Sequence, residues 1–457
     1  MTGDPMDHAP SATAAAATQT RTRARWTILA MLFAVTTINY ADRATISIAG
    51  PNLKADLGLS AVEMGYVFSA FAWSYVLAQL PGGWLLDRFG TRITYFFSIF
   101  LWSLFTMLTG AIGFFTGGAA VAMLFALRLL VGAAEAPSFP GNSRIASSWF
   151  PTQERGLAAA IFNSAQYFAT VLFAPIMGWL VHTYDWHSVF YVMGALGIGL
   201  SFIWLKVIHG PRRHPSINAA ELQYIKEGGA LVDLEETRHG AEPSKVDVFA
   251  AIKELLSNRM LLGVYVAQYC ITTLTYFFLT WFPVYLVQER GMTILKAGFV
   301  ASMPAIAGFL GGIAGGWLSD RLSKAGHSLS VSRKVPIVLG MLLSMSMIGC
   351  NYIETDMLVV AVMSLAFFGK GIGALGWAVV ADTSPKEAGG LSGALFNTFG
   401  NTAGITTPIV IGYIVQNTGS FAGALVFVGA NAAVAIFCYL FIVGDIKRVV
   451  LTESLVK

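Results

Sequence analysis

The feature that most constrains this chain is a series of twelve apolar blocks, each near 20 residues long, separated by shorter polar stretches. A helix rises about 1.5 Å per residue, so a block of that length crosses the roughly 30 Å hydrocarbon core of a bilayer. The blocks fall at 26–50, 62–86, 92–112, 119–141, 156–182, 187–208, 260–288, 295–319, 334–353, 357–382, 389–416 and 420–444. Only 12% of the residues are charged and 55% are apolar, well below the roughly one-quarter charged share of soluble domains. The pattern predicts an all-α polytopic membrane protein with twelve transmembrane helices.

Twelve spans put both chain ends on one side. That side holds Arg88, Arg92, Arg144, Arg155, the basic residues of 206–259, Arg321, Lys324, Arg333, Lys334, Lys386, Lys447 and Arg448. The opposite loops offer only Lys54, Arg290 and Lys296. Excess Lys and Arg marks the cytoplasmic side, so both termini are expected there. Residues 1–25, rich in Ala and Thr and closing on Arg21, Arg23 and Arg25, read as a disordered cytoplasmic tail. A cleavable signal is disfavoured because the next block is full length and contains Asp42 and Arg43. Residues 445–457 read as a second tail. The polar stretch 209–259, with Pro211, Pro215, Glu221, Lys226, Glu235 and Glu236, reads as a linker with some helix. It is too short for a convincing domain, and a regulatory module is the alternative. Cys270, Cys350 and Cys438 sit inside apolar blocks without pairing or metal-ligand spacing, as small packing residues do.

The chain repeats itself. PGGWLLDRFG at 81–90 is echoed by AGGWLSDRLS at 314–323, and GLAAAIFNS at 156–164 by GLSGALFNT at 390–398. The two offsets agree to within one residue, so residues 26–208 and 260–444 form two parallel six-helix bundles, as in transporters whose halves rock about a central site. The repeated segments aim Gly83, Asp87 and Arg88 in one half, and Gly316, Asp320 and Arg321 in the other, at gating. The glycines would let backbones approach closely, and the acids would pair with nearby Arg and helix N-termini across the interface.

Ionisable side chains inside a bilayer cost a few kcal/mol each and need a reason. Five stand out: Asp42 and Arg43 in span one, Arg128 and Glu135 in span four, and Lys370 in span ten. Arg128 and Glu135 lie two turns apart on nearly one helix face, so all four N-terminal charges are expected around one cavity. Burial favours the neutral carboxyl and a neighbouring guanidinium favours the carboxylate. An acid that exchanges its Arg partner during a cycle can therefore load and release a proton, and the freed Arg can take a substrate carboxylate through bidentate bonds. A static ion-pair network is the alternative. Polar groups at helical spacing complete a site: Tyr75 with Gln79, Asn163 with Gln166 and Tyr167, Lys370 with Ala374 and Trp377, and Asn397 with Asn401. Such groups suit sugar hydroxyls, and an indole suits a sugar's C–H face.

No enzymatic constellation competes. There is no Walker-type phosphate loop, and His182, His187, His209 and His214 lack metal-ligand periodicity. G-K-G-I-G at 369–373 lies inside an apolar span and reads as close helix packing.

These residues resemble the major facilitator superfamily, and within it the anion:cation symporter group. NYADRATISIAG at 39–50, SAFAWSYVLAQLPGGWLLDRFG at 69–90, EAPSFP at 135–140 and FNSAQYF at 162–168 carry that likeness. LLSNRMLLGV at 255–264, FFLTWFPVYLVQERGMTILKAG at 277–298, FFGKGIGALGW at 367–377 and CYLFIVGDIKR at 438–448 are similar to bacterial glucarate/galactarate transporters. The resemblance spans about residue 25 to 448. It implies that Asp42 and Glu135 handle protons, that Arg43 and Arg128 engage a substrate carboxylate, and that Tyr75, Gln166, Trp377 and Asn397 line a sugar-acid site. Related hexonate transporters carry hydroxyl side chains in span ten where this chain has Ala374 and Gly376, so those contacts do not carry over. Lys370 suggests a replacement, taking a second carboxylate while Arg43 takes the first.

The expectation is thus a proton-coupled symporter in the bacterial inner membrane, importing glucarate or galactarate by alternating access. Its partners would be a small carboxylate, protons and lipid, with no nucleic acid, cofactor or metal, and it would act as a monomer. Uptake of another organic anion (hexonate, hexuronate, tartrate or aromatic acid) is the nearest alternative. A membrane sensor without net transport is disfavoured by the small size of 209–259 and of both tails.

Overall fold

The computed structural model describes residues 20–115, 117–234, 248–385 and 388–451, and no strand occurs among them. Most of the two tails, Glu235, Glu236 and Lys386 lie outside the described residues. Twelve long helices follow in order: α1 Ala24–Leu57, α2 Ala61–Phe89, α3 Thr91–Thr109, α4 Gly117–Glu135, α5 Arg155–Thr183 and α6 Trp186–Val207, then α7 Arg259–Gln288, α8 Ile294–Lys324, α9 Leu329–Tyr352, α10 Asp356–Thr383, α11 Gly389–Thr418 and α12 Ala422–Ile442. Ten helices among the described residues are long and apolar enough to cross a membrane. The other two long ones, α1 and α11, have 34 and 30 residues but carry Asn39, Asp42 and Arg43, or Asn397 and Asn401. Their polarity has a structural reason, since both border the centre of the molecule.

Local signals set the helix ends. Ser60 Oγ accepts from the Glu63 N–H at 3.1 Å while the Glu63 carboxylate accepts from the Ser60 N–H at 2.8 Å, which starts α2. Asp185 caps α6 and Asn258 caps α7 through the side chain alone, without the reciprocal bond. Three spans depart from expectation. α1 runs past Pro51 to Leu57, and so absorbs Lys54 into its last turn before Gly58 (φ 65°) ends it. The fourth span stops at Glu135, and the chain re-enters a separate helix, Ser138–Trp149, after Pro137. α10 breaks after Ile372 and resumes at Gly376. The glycine run before that break is close packing: a Cβ at Gly371 would lie 2.3 Å from the Gly308 carbonyl.

Within the first half α1 packs on α5, α2 on α4 and α3 on α6; within the second α7 packs on α11, α8 on α10, and α9 on α10 and α12. The halves meet through α2 with α11 and α5 with α8, two contacts that exchange under the internal repeat. Exposed apolar side chains such as Phe202, Ile203, Leu342 and Phe441 cover the outside, where hydrocarbon is the solvent.

The contacts between halves concentrate at the end remote from the chain termini. There a Cβ at Gly65 would fall 2.6 Å from the Pro408 carbonyl, and one at Gly298 would fall 2.7 Å from the Ala174 carbonyl. Backbones this close exclude side chains and seal that end. Gly83 and Gly316 behave otherwise, since an added Cβ at either would meet nothing within 4 Å. The close approach expected at these two glycines is therefore absent in this conformation, in which the terminal ends of the two halves stand apart.

The connector between halves is partly an extension of the first half. Glu221, fully buried in the short helix Ala219–Glu227, accepts from the Ala24 N–H and from Arg25 Nη1, both at 2.9 Å. It thereby satisfies the otherwise uncapped start of α1. The Gly228 carbonyl accepts from the Thr152 N–H and the Ser147 carbonyl from the Leu231 N–H, while the helix Val248–Ser257 packs on α7 and α11 of the second half.

Candidate functional site

Between the halves lies a cavity of about 570 Å³, walled by Arg43 and Tyr40 of α1, Tyr75 of α2, Asn163, Gln166 and Tyr167 of α5, Lys370, Ala374 and Trp377 of α10, and Asn397 and Asn401 of α11. Its lining reaches Ser143, Ala159 and Trp377 on the terminal side, the side where the halves separate. Six of the residues picked out in the sequence as substrate contacts therefore share one wall: Arg43, Tyr75, Gln166, Lys370, Trp377 and Asn397. Arg128, the seventh, is absent from the wall, and so are Asp42 and Glu135.

Helix geometry explains the split. Successive residues on α1 project about 100° apart, so Arg43 borders the cavity while Asp42 turns into the first half and is fully buried among Glu135, Arg128 and Trp102. Arg128 and Glu135 do lie on one face of α4, but that face looks into the bundle, towards α1 and Phe71. The Phe71 ring contacts both guanidinium groups, with centroid distances of 4.5 Å to Arg43 and 5.7 Å to Arg128. The expectation that all four charges face the cavity is corrected accordingly: Arg43 borders it and the other three stand behind Arg43.

One direct bond links the four. Arg43 Nε donates to Glu135 Oε2 at 2.8 Å, with the acid fully buried and the base 7% exposed. The pair is monodentate. Arg43 Nη2 and Glu135 Oε1 are buried without partners among the described residues, as are both Asp42 carboxylate oxygens and Arg128 Nε. Arg43 is held by aromatic faces, with Tyr40 at 4.8 Å and Tyr75 at 5.0 Å from its guanidinium carbon. A buried arginine with one arm engaged and one arm without an acceptor is equipped to take a further carboxylate.

The rest of the wall is polar and connected. The Tyr276 hydroxyl donates to Asn401 Oδ1 (3.1 Å), Asn401 Nδ2 to Asn397 Oδ1 (3.1 Å), and Asn397 Nδ2 to Gln79 Oε1 (3.2 Å). This chain crosses from the second half to the first. Gln268, Thr272, Thr275 and Tyr276 of α7 also line the cavity, and the sequence reading missed them. Their signal was present, because i, i+4, i+7 and i+8 make one stripe on a helix. Lys370 is 7% exposed and makes no ion pair among the described residues, its ammonium lying 5.2 Å from the Phe367 ring centroid.

The gating residues are not joined across the halves. Asp87 pairs with Arg144 of its own half, and Arg88 lies over the rings of Trp84 and Phe89. Asp320 has no ion pair among the described residues, Arg321 lies 5.1 Å from the Trp317 centroid, and Arg333 ties α9 to α10 through Asp382 at 2.8 Å. No group of His, Cys, Asp and Glu able to hold a metal occurs among the described residues.

Two six-helix halves around a central polar cavity, sealed at one end, define a membrane transporter of the alternating-access class. Residues 32–350 match the model of the Major Facilitator Superfamily, and the chain belongs to that family. It is 66% identical over 434 residues to a protein of Bacillus subtilis (strain 168) described as a probable galactarate/D-glucarate transporter, covering 95% of each chain. A protein of Escherichia coli (strain K12) with the same description is 61% identical over 95% of this chain and 97% of its own. The D-galactonate transporter of Escherichia coli O6:H1 is 43% identical over 93% of this chain and 97% of its own. Among solved structures, the D-xylose-proton symporter superposes with a TM-score of 0.69 at 14% identity, over 93% of this chain and 99% of its own. That likeness speaks to fold alone. The chain is a transporter and not an enzyme.

The buried pair makes a stability prediction. Arg43→Gln strands Glu135 without its partner and should cost about 3–5 kcal/mol. Adding Glu135→Gln to it should restore most of the loss, as read by thermal unfolding of the purified protein. A double variant as unstable as the worse single would show that the two groups do not sustain each other.

Proposed function

We propose that the protein is a proton-coupled symporter that imports a C6 sugar diacid, glucarate or galactarate, across the bacterial inner membrane. In this reading both termini are cytoplasmic, the cavity is open to the cytoplasm, and a monomer completes the cycle. The observation that carries it is the half-engaged Arg43, bonded to buried Glu135 on one side and bordering a polar cavity on the other. Together Asp42, Glu135, Arg43 and Arg128 sum to zero charge when ionised. A substrate carboxylate arriving at Arg43 adds one negative charge to a poorly solvated site, and a proton on Glu135 cancels it. Anion and proton therefore enter as a pair. Release of the proton returns Glu135 to Arg43 and expels the carboxylate. Asp42 and Arg128 act from behind as a second acid and a fixed cation, Arg128 tuning the acids without reaching substrate.

Lys370 favours a diacid over other organic anions. It is a second buried cation on the cavity wall, supplied by the opposite half. A linear aldarate with one carboxylate on Arg43 and the other at Lys370 joins the halves, while Gln166, Asn397 and Tyr75 take its hydroxyls and Trp377 its C–H face. The names of the closely similar relatives agree with this substrate. Gly83, Asp87 and Arg88, with Gly316, Asp320 and Arg321, then seal the cytoplasmic end when the halves rock the other way.

Purified protein in liposomes should accumulate labelled glucarate when the outside is acid, by about tenfold or more over vesicles without a gradient, since tenfold matches a one-unit pH difference. Glu135→Gln should keep glucarate counterflow and lose gradient-driven accumulation; equal loss of both would make Glu135 structural. Lys370→Gln should raise the KM for glucarate by about tenfold, the cost of one lost charge-assisted bond of roughly 1.5 kcal/mol, and leave the monoacid galactonate unchanged. Glucarate kinetics unaffected by that substitution would remove the second anchor.

A further inference from the structure

Gln79 sits one turn beyond Tyr75 on α2, yet only Tyr75 belongs to the cavity wall. Gln79 instead bridges the halves, its Oε1 accepting from Asn397 Nδ2 at 3.2 Å. No step of the proposed cycle uses it. We infer that Gln79 is a positioning residue. Held by Asn397 of the opposite half, it fixes the Tyr75 hydroxyl as a hydrogen donor to the end of the substrate bound at Arg43, a role that rests on Arg43 taking a substrate carboxylate.

A backbone carbonyl sets the direction of the whole chain of bonds. Asn401 Nδ2 lies 2.9 Å from the Asn397 carbonyl oxygen, one turn back on α11. A carbonyl can only accept, so the Asn401 amide must point its nitrogen there. Its oxygen is left to accept from the Tyr276 hydroxyl at 3.1 Å. The same Asn401 nitrogen lies 3.1 Å from Asn397 Oδ1, so the Asn397 side chain turns its Nδ2 the other way, onto Gln79. Gln79 therefore gives its oxygen to the interface and keeps Nε2 for its own half. Each amide has one accepting end and one donating end, so a single fixed member orients the rest.

That orientation decides what Tyr75 can do. The Gln79 amide and the Arg43 guanidinium both face the Tyr75 oxygen, with the Arg43 guanidinium carbon 5.0 Å from the ring centroid. N–H groups on both sides can only donate to that oxygen, so the tyrosine must aim its own hydrogen elsewhere. Tyr75 is buried and borders the cavity beside Arg43. Its hydrogen thus serves an acceptor of the substrate, the carboxylate on Arg43 or the hydroxyl next to it. Once Asn397 moves off, the Gln79 amide is free to turn over and offer Oε1 to Tyr75, whose hydroxyl then bonds its own helix in place of the ligand. Grip on the substrate is thereby tied to the position of one half against the other, at the contact of α2 with α11.

The test is a double-mutant cycle on binding. Purified full-length wild type, Tyr75→Phe, Gln79→Met and the double variant are titrated calorimetrically with glucarate and with galactonate. The stoichiometry counts folded molecules, so a misfolded fraction leaves the Kd readable, and Gln79→Ala repeats the comparison if Gln79→Met does not fold. Each single variant should weaken both acids about five-fold, the usual worth of one hydrogen bond. The double variant should be no weaker than either single, because Gln79 acts only through Tyr75. Combined with Lys370→Gln, Gln79→Met should multiply its effect on glucarate, since Lys370 holds the other end. Wild-type binding with Gln79→Met undiminished, or a double variant weakened about twenty-five-fold as independent groups would be, would overturn this role and leave the substrate assignment standing. No binding of either acid by the wild type would overturn that assignment, and the role with it.

Discussion

Taking a guanidinium and a carboxylate out of water costs several kcal/mol per ion, and the cost is recovered only through close, well-aimed partners. Arg43 and Glu135 meet that condition once, through a single 2.8 Å bond, with an unused nitrogen and an unused oxygen left over. The rest of the molecule is arranged around this half-satisfied pair. Tyr40, Phe71 and Tyr75 pin the guanidinium from its faces. Asp42 and Arg128 stand behind the pair, buried within the bundle. The cavity brings the polar side chains of the second half to the same wall. In the proposed cycle, whichever carboxylate holds Arg43 decides whether a proton is aboard.

Rocking requires that one end be closed while the other is open, and the packing supplies both conditions. At the closed end glycine backbones lie so near carbonyls of the opposite half that a Cβ would not fit between them. At the open end the repeated glycine and Asp-Arg segments face no partner across the gap, and Asp87 is occupied within its own half. In the proposed cycle these two chemically similar segments form the gate. The docking of Glu221 on the start of α1 ties part of the connector to the first half.

Much of this was legible in the residues. Block length gave the spans, the two echoes gave the halves, and intramembrane charge pointed to Arg43 and Lys370, which line the cavity, and to Glu135, which bonds Arg43. What remained hidden has a common cause: helical spacing says which side chains share a face and is silent about what that face meets. Arg128 and Glu135 share a face as expected, yet it looks into the bundle and not the cavity. Gln268, Thr272, Thr275 and Tyr276 form an equally regular stripe, but it is interleaved with bulky apolar residues and carries no charge to draw attention. The break in α10 at 373–375 follows a glycine run that reads equally well as a packing seam. Gly83 and Gly316 both meet nothing within 4 Å, and a sequence cannot say in which conformation a contact exists.

The central claim is that Arg43 exchanges Glu135 for a substrate carboxylate only when Glu135 carries a proton. Calorimetric titration of the purified protein with glucarate, repeated at one pH in buffers of different ionisation enthalpy, counts the protons taken up per ligand bound. Linkage between the two ligands predicts net uptake of about one proton near neutral pH in the wild type, and close to none in Glu135→Gln, which still binds. Binding by the wild type with no proton uptake would contradict the account, whatever the substrate's identity.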